Sequence, residues 1–103
     1  MTIKTNEEAL ELLKSKYGKP ETYAGVVYKS VFAAYPEGYN KIYPGFACLM
    51  GVINTKTEDI DHISGIHVFP NGECSTVNNP RSKNRIEGVD IDWEKGTATP
   101  IDN

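Results

Sequence analysis

The fold is decided by the only long apolar run in the chain, Pro44-Gly45-Phe46-Ala47-Cys48-Leu49-Met50-Gly51-Val52-Ile53. Pro-Gly opens this run, and the polar residues Asn54-Thr55-Lys56-Thr57 close it. The run is too short for a helix that crosses a bilayer, which needs about 20 apolar residues. Its length and its flanking residues are typical of a strand that is buried on both faces. Other parts of the chain must therefore cover both sides of this strand.

The composition predicts one globular domain around this strand, spanning residues 1–103. Apolar residues make up 39% of the chain and charged residues 24%, which is ordinary for a folded domain and too apolar for a disordered one. The first residues lack the apolar stretch of a signal peptide, so we expect a cytoplasmic protein with no membrane association. In that compartment Cys48 and Cys74 are expected to stay reduced.

A helix is predicted near the N-terminus, before the central run. Thr5 and Glu8 have the spacing of a capping box, in which each side chain satisfies a backbone N–H group at the start of a helix. Apolar residues then recur on one side of the helix, at Ala9, Leu10, Leu13 and Tyr17. Gly18 and Pro20 end it. One face of this helix is expected to pack on the sheet.

Further strands are predicted on both sides of the central run. Residues 21–35 favour a long strand by their β-branched and aromatic content, although their spacing also fits a helix. Ile60 to Phe69 form a strand that the turn at Pro70-Asn71-Gly72 reverses, so that Val68 faces Cys74. Residues 89–94 alternate between apolar and acidic side chains, which indicates a half-buried strand. We therefore expect an α+β fold, with an N-terminal helix packed on a four- to five-stranded, mainly antiparallel sheet and a frayed tail at 97–103.

No residue pattern in the chain predicts a catalytic residue, a cofactor site or a metal site. The two histidines, His62 and His67, are the natural candidates for a pocket, but residues five positions apart point to opposite faces of a regular strand. Only a bulge at Ser64-Gly65 would bring them together. Cys48 lies in the apolar run, where burial should raise its pKa and reduce its reactivity. Enzymatic activity is left open, with the balance against it.

Two surface features are candidates for recognising another protein. Six of the ten aromatic residues are tyrosines, and three of them surround one turn: Tyr35, Tyr39 and Tyr43. Tyrosine is enriched at protein interfaces, but it also caps the ends of a core with its hydroxyl group in water. The second feature is the acidic side of the strand at 89–94, formed by Asp90, Asp92 and Glu94. Such a face is either simply solvated or attracts a basic partner.

A short basic segment is a further candidate, for contacts with phosphate groups. It contains Arg81, Lys83 and Arg85 within a stretch of turn-forming residues. The net charge of the chain is −3, and no nucleic-acid-binding motif is present. Both observations argue against nucleic-acid binding as the main function.

These observations predict a small non-enzymatic module that binds another protein with a basic surface and occludes a functional site on it. An inhibitor, an immunity protein, an antitoxin or a phage anti-defence factor would act in this way, as a monomer or a homodimer. Two alternatives stay open. One is a small enzyme or ligand-binding domain with a pocket lined by tyrosines and by His62 or His67, and the other is nucleic-acid binding through Arg81–Arg85. No motif identifies a known family, so no residue is assigned by resemblance.

Overall fold

The structure is a computed structural model that describes residues 2–39, 43–81 and 89–101, and for 77–81 it describes the backbone alone. In these ranges the chain forms α1 (Asn6–Tyr17), β1 (Glu21–Tyr23), β2 (Val26–Ala34), β3 (Phe46–Asn54), β4 (Asp59–Val68), β5 (Cys74–Arg81), β6 (Val89–Asp92) and β7 (Thr97–Pro100). The strands make one sheet in the order β5-β4-β3-β2-β7-β6, with β1 paired to β2. The pairing of β2 with β7 is parallel, and the other pairs are antiparallel. The fold is therefore α+β, with one N-terminal helix and a mainly antiparallel open sheet.

The sheet has seven strands in the described residues, so the predicted number of four to five is wrong. One reason lies in residues 21–35, which form strands rather than a helix but are divided by a two-residue turn. In this hairpin Tyr23 pairs with Val26. The turn residues Ala24 and Gly25 have positive φ angles of 51° and 78°, the conformation of a type I′ turn. The turn was missed because alanine does not favour that conformation.

The second reason is β7, which occupies part of the predicted frayed tail. Gly96 turns the chain with a φ of 74°, and its carbonyl oxygen accepts a hydrogen bond from the Ala34 N–H group at 2.9 Å. Ala98 is fully buried. The expectation of a frayed end is thus wrong for Thr97–Pro100. The contacts that hold β7 come from β2, far away in the sequence, so no local pattern indicated them.

The apolar run forms β3, which lies inside the sheet between β2 and β4. Alternate residues of β3 enter two separate hydrophobic cores. The core on the helix side contains Ile3, Ala9, Leu13, Phe32, Ala34, Cys48, Ile66 and Val68. The core on the other side contains Ala33, Leu49, Ile60, Ile63 and Ala98. We call these two sides of the sheet the helix face and the second face.

The helix α1 covers the helix face and begins at the predicted capping box. The Glu8 N–H group donates to Thr5 Oγ1 at 3.1 Å. The Glu8 carboxylate accepts a hydrogen bond from the Lys4 N–H group at 3.3 Å, one residue earlier than the usual pattern. Ala9 and Leu13 lie on the side of the helix that faces the sheet, and both are fully buried. Burial of a side chain such as Leu13 contributes about 1.5–3 kcal/mol, so this packing holds the helix on the sheet.

The hairpin of β6 and β7 covers the second face. In the sheet order β6 is three strands away from β3, which corresponds to about 14 Å in a flat sheet. Trp93 follows β6, yet it packs on β3: a methyl group at Gly51 would lie 3.0 Å from Trp93 Cη2. The sheet must therefore curl strongly, so that its own edge hairpin folds over the central strand.

The two cysteines are free thiols on the helix side of the sheet. Cys48 lies on β3 and Cys74 on β5, with β4 between them. Strands that far apart place their Cα atoms roughly 10 Å from each other, and a disulfide needs less than about 7 Å. Burial, and to a smaller extent the nearby Cys74 thiol, raises the pKa of Cys48 from 9.0 to about 12. Cys48 is therefore a packing residue that stays protonated at neutral pH.

The substitution Ala24→Asn should stabilise the protein. Asparagine tolerates the left-handed conformation that Ala24 adopts, and Asn-Gly is a preferred type I′ pair. We expect the free energy of unfolding to rise by about 0.5–1 kcal/mol, measured by urea denaturation. The control Gly25→Ala puts a side chain at a φ of 78° and should lower the free energy of unfolding. Equal stability of all three proteins would contradict the turn geometry.

The Cys48 thiol should make stability depend on alkaline pH. Its pKa is higher in the folded protein than in the unfolded chain, so the stabilisation is complete below pH 9 and is lost as the pH rises toward 12. Urea denaturation of the wild type and of Cys48→Ala between pH 7 and the alkaline limit would check this. We expect the wild type to lose stability faster than the variant above pH 9. If the stability of both proteins fell equally with pH, the raised pKa of Cys48 would be contradicted.

Candidate functional site

Aromatic side chains gather at one end of the second face. Tyr35 stacks on Tyr39, with ring centroids 4.5 Å apart and planes 9° apart. The Tyr43 ring meets the His67 ring edge-on at 6.3 Å. Tyr39 is 50% exposed and Tyr43 59% exposed, whereas Tyr35 is partly buried against the second core. Two of the three predicted tyrosines, Tyr35 and Tyr39, thus form one stack. Tyr39 and Tyr43 each expose at least half of their surface to solvent.

His67 is a buried structural residue of this aromatic end. Its Nε2 atom lies 2.9 Å from the Pro44 carbonyl oxygen, and because a carbonyl can only accept, Nε2 carries the hydrogen. The ring also packs edge-on against Phe69 at 4.6 Å. The contact with Pro44 holds the residues just before β3 against β4. At Gly45 a side chain would collide with the Val68 carbonyl oxygen, so this segment passes very close to β4.

The two histidines do not meet. Val52 pairs with His62 and Ala47 pairs with His67, and the register between these pairs is unbroken. The two imidazole rings therefore lie on opposite faces of the sheet, as strand alternation predicts. In ranges 2–39, 43–81 and 89–101 no group of three or more His, Cys, Asp or Glu side chains is arranged to hold a metal ion.

The three predicted acidic residues have different environments. The Asp92 carboxylate accepts hydrogen bonds from the N–H groups of Glu94 and Lys95, at 3.0 Å each, and so shapes the turn after β6. Glu94 is exposed on that turn. Asp90 is exposed within β6. The sequence suggested one acidic face, but Oδ1 of Asp92 is engaged by the turn, whereas the Asp90 carboxylate has no hydrogen bond to any described residue.

Asp90 borders an apolar groove of about 540 Å³ between β6 and the turn that joins β3 to β4. Apolar side chains form most of its lining: Ile53, Ile60, Val89, Ile91 and Trp93. Ile53 and Ile60 are cross-strand partners and form one wall. Of the described residues that line it, Glu58 and Asp90 are the charged ones. The groove therefore combines several apolar side chains with two carboxylates.

The groove and the aromatic end are separate parts of the second face. Ile53 and Ala47 are six residues apart on β3, which is about 20 Å in an extended strand. Ile53 lines the groove, and Ala47 pairs with His67 at the aromatic end. A partner would have to span this distance to contact both.

Two further clefts lie near the C-terminal end of the helix. One, of about 360 Å³, lies between α1 and the turn after β6, and its lining includes Lys14, Gly18 and Glu94. The other, of about 310 Å³, includes Lys16, Lys19 and Tyr28. Both are smaller and more mixed in charge than the groove beside β6.

The basic segment is only partly covered by the structure. Arg81 is the last residue of β5, and its side chain is not described. Lys83 and Arg85 lie outside the described residues. Phosphate binding by these three residues stays a prediction.

Comparison with known proteins gives no assignment. No protein-family model matches the chain, and no curated protein and no solved structure matches it either. Within the described part of the chain, no helix has the length and the apolarity needed to cross a membrane. The function must therefore be argued from the geometry of this fold.

Sequence reasoning missed the groove, although it identified several residues that border it. Ile53 and Ile60 were assigned to strands, and the side of residues 89–94 that includes Trp93 was assigned to the core. Their meeting depends on the curl of the sheet, which no local pattern encodes. The available signal was Trp93 itself, because a large aromatic residue at the end of a short strand has more surface than such a strand can bury.

Gly51→Ala should disturb the contact that closes the second face. The added methyl group would lie 3.0 Å from Trp93 Cη2 and 3.2 Å from Val31 Cγ2. We expect a loss of about 1–3 kcal/mol in stability, together with a shift in the fluorescence of Trp93, the single tryptophan of the chain.

The control is Gly38→Ala, where φ is 83° and no atom lies within 4 Å of the added methyl group. It should lower stability by backbone strain alone and leave the Trp93 emission unchanged. An unshifted emission in Gly51→Ala would mean that Trp93 does not pack on β3.

Proposed function

We propose that this protein is a non-enzymatic binding module that takes up a basic segment of a partner protein in the groove beside β6. The observation that carries the proposal is the combination of an apolar lining that includes Trp93 with two carboxylates, Glu58 and Asp90. Such a groove suits a segment that brings both apolar and cationic side chains.

The energetics of protein interfaces support this choice. Tryptophan is among the residues that contribute most to binding when a partner covers them. Trp93, Val89 and Ile91 are only partly buried, so a partner can still remove apolar surface from water there. This burial would supply affinity at about 25 cal/mol per Å² of apolar surface, before the costs of association are subtracted.

The charges support a basic partner rather than an acidic one. Glu58 and Asp90 lie at the groove, and the whole chain has a net charge of −3. Opposite charge on the partner speeds association and fixes its orientation. Inhibitors, immunity proteins, antitoxins and anti-defence factors are all instances of this mode if the bound segment belongs to the functional site of the partner.

The pocket alternative has less support. His62 and His67 lie on opposite faces, and the His67 ring is already engaged with Pro44 and Phe69. No second observation favours catalysis by either residue.

The test compares two double charge reversals. Glu58→Lys/Asp90→Lys changes the groove, whereas Glu11→Lys/Glu73→Lys changes two exposed carboxylates on the helix and on the turn between β4 and β5. Each protein is used for affinity purification from cells that make the native protein, with mass spectrometry, and the captured partner is then measured by surface plasmon resonance.

We expect the groove variant to lose the partner, with an association rate at least about tenfold lower and less dependent on salt. The control variant should keep both the partner and its rate. Equal binding by both variants, or no partner for the wild type, would overturn the proposal. Circular dichroism and thermal unfolding of each variant show whether a loss of binding is a loss of fold.

A further inference from the structure

The strand β6 ends the sheet on the side of the groove. The sheet order runs from β5 to β6, and among the described residues no strand pairs with the outer edge of β6. Its four residues, Val89–Asp92, pair with β7 on the inner edge only. Within the described residues the outer edge thus has backbone N–H and C=O groups outside the ladder, and such groups are the usual basis for the addition of a strand.

The groove borders three of the four residues of β6. Val89 and Ile91 point to one side of β6, and Asp90 must point to the other because side chains alternate. All three nevertheless line the groove. The groove therefore follows β6 over three consecutive residues, whichever way their side chains point.

The opposite wall is apolar and extended as well. Ile53 and Ile60 are register partners on β3 and β4, and Glu58 follows in the turn between those strands, with its N–H group donating to the Asn54 carbonyl at 2.7 Å. A strand placed beside β6 would thus lay alternate side chains against Ile53 and Ile60. Its other side chains would lie on the side of Asp90.

We propose that the occupant of the groove is an extended basic segment of the partner protein, about four to six residues long, which pairs with the outer edge of β6 as an additional strand. This inference rests on the proposed function and specifies its mode. Apolar side chains of the segment enter the groove against Ile53, Ile60 and Trp93. Lysine or arginine side chains at the alternate positions face Asp90, and Glu58 adds negative charge at the turn side of the groove.

A helical occupant fits the same residues less well. An α-helix with its side chains is about 10–12 Å wide and uses its backbone hydrogen bonds internally. It would leave the backbone groups of β6 without partners. An extended segment satisfies them and lies only about 4.8 Å from β6. The four residues of β6 span about 13 Å, which sets the length of the segment.

The experiment uses synthetic peptides that contain no tryptophan, so that Trp93 alone reports binding by its fluorescence. The probe is acetyl-KVKVKV-amide, and the control of equal charge and composition is acetyl-KKKVVV-amide. Two further versions of the probe carry N-methyl groups on all valine amides or on all lysine amides. Because alternate N–H groups of a strand point to the same edge, one of these versions blocks pairing with β6 and the other leaves it possible.

We expect the alternating peptide to bind at least about tenfold more tightly than the block peptide, and one N-methylated version to lose that advantage while the other keeps it. Glu58→Lys/Asp90→Lys should weaken binding at least about tenfold, and Glu11→Lys/Glu73→Lys should not. Amide shift changes in NMR spectra should centre on Val89–Asp92.

These outcomes distinguish a failure of the strand-addition mode from a failure of the proposed function. If the peptides bind equally well with and without N-methyl groups, or do not bind while the native partner still requires Glu58 and Asp90, strand addition is wrong and the proposed function stands. If the native partner is also indifferent to these two carboxylates, the proposed function fails together with its mode.

Discussion

The structure depends on the need to cover one apolar strand from both sides. β3 carries apolar side chains on both faces, and each side chain such as Leu49 or Met50 gains about 1.5–3 kcal/mol when it leaves water. One helix can cover only one of these faces. The chain covers the other with β6 and β7, whose hairpin curls over the sheet until Trp93 rests on Gly51. The absence of a side chain at Gly51 is what allows this close approach.

The groove follows from the same arrangement. β6 and β7 have four residues each, whereas β3 has nine, so the hairpin is too short to cover the whole second face. Ile53, at the far end of β3, remains only partly buried. The acidic residues Glu58 and Asp90 then stand beside apolar surface that the fold itself cannot bury. The proposed binding site is therefore the part of the core that the hairpin leaves open.

The parts of the fold that the sequence predicted are those that local chemistry determines. Thr5 and Glu8 mark the helix start, and Pro70-Asn71-Gly72 set the turn that pairs Val68 with Cys74. The alternation in 89–94 predicted a strand with its apolar side inward, and the strand is present over Val89–Asp92, with Trp93 and Glu94 in the turn that follows. The alternation of side chains along a strand predicted that His62 and His67 lie on opposite faces of the sheet. β7 and the curl could not be predicted, because the contacts between Ala34, Thr97 and Gly96 join distant residues. The groove depends on that curl. The role of Asp92 in the turn could have been predicted, since aspartate commonly accepts hydrogen bonds from backbone N–H groups two residues later in the chain.

The parallel pairing of β2 with β7 also has a consequence for folding, because it joins the end of the chain to a strand made much earlier. β2, β3 and β4 are neighbours along the chain and can pair without β7, and until β7 docks Ala33, Leu49 and Ile63 stay uncovered on the second face. Such non-local closure slows folding, and a bare apolar sheet invites association between chains while synthesis proceeds at about 5–20 residues per second. A released chain that ends after Lys95 would keep the residues of the helix face and lack β7, which carries the buried Ala98, so the second face is expected to stay open in it.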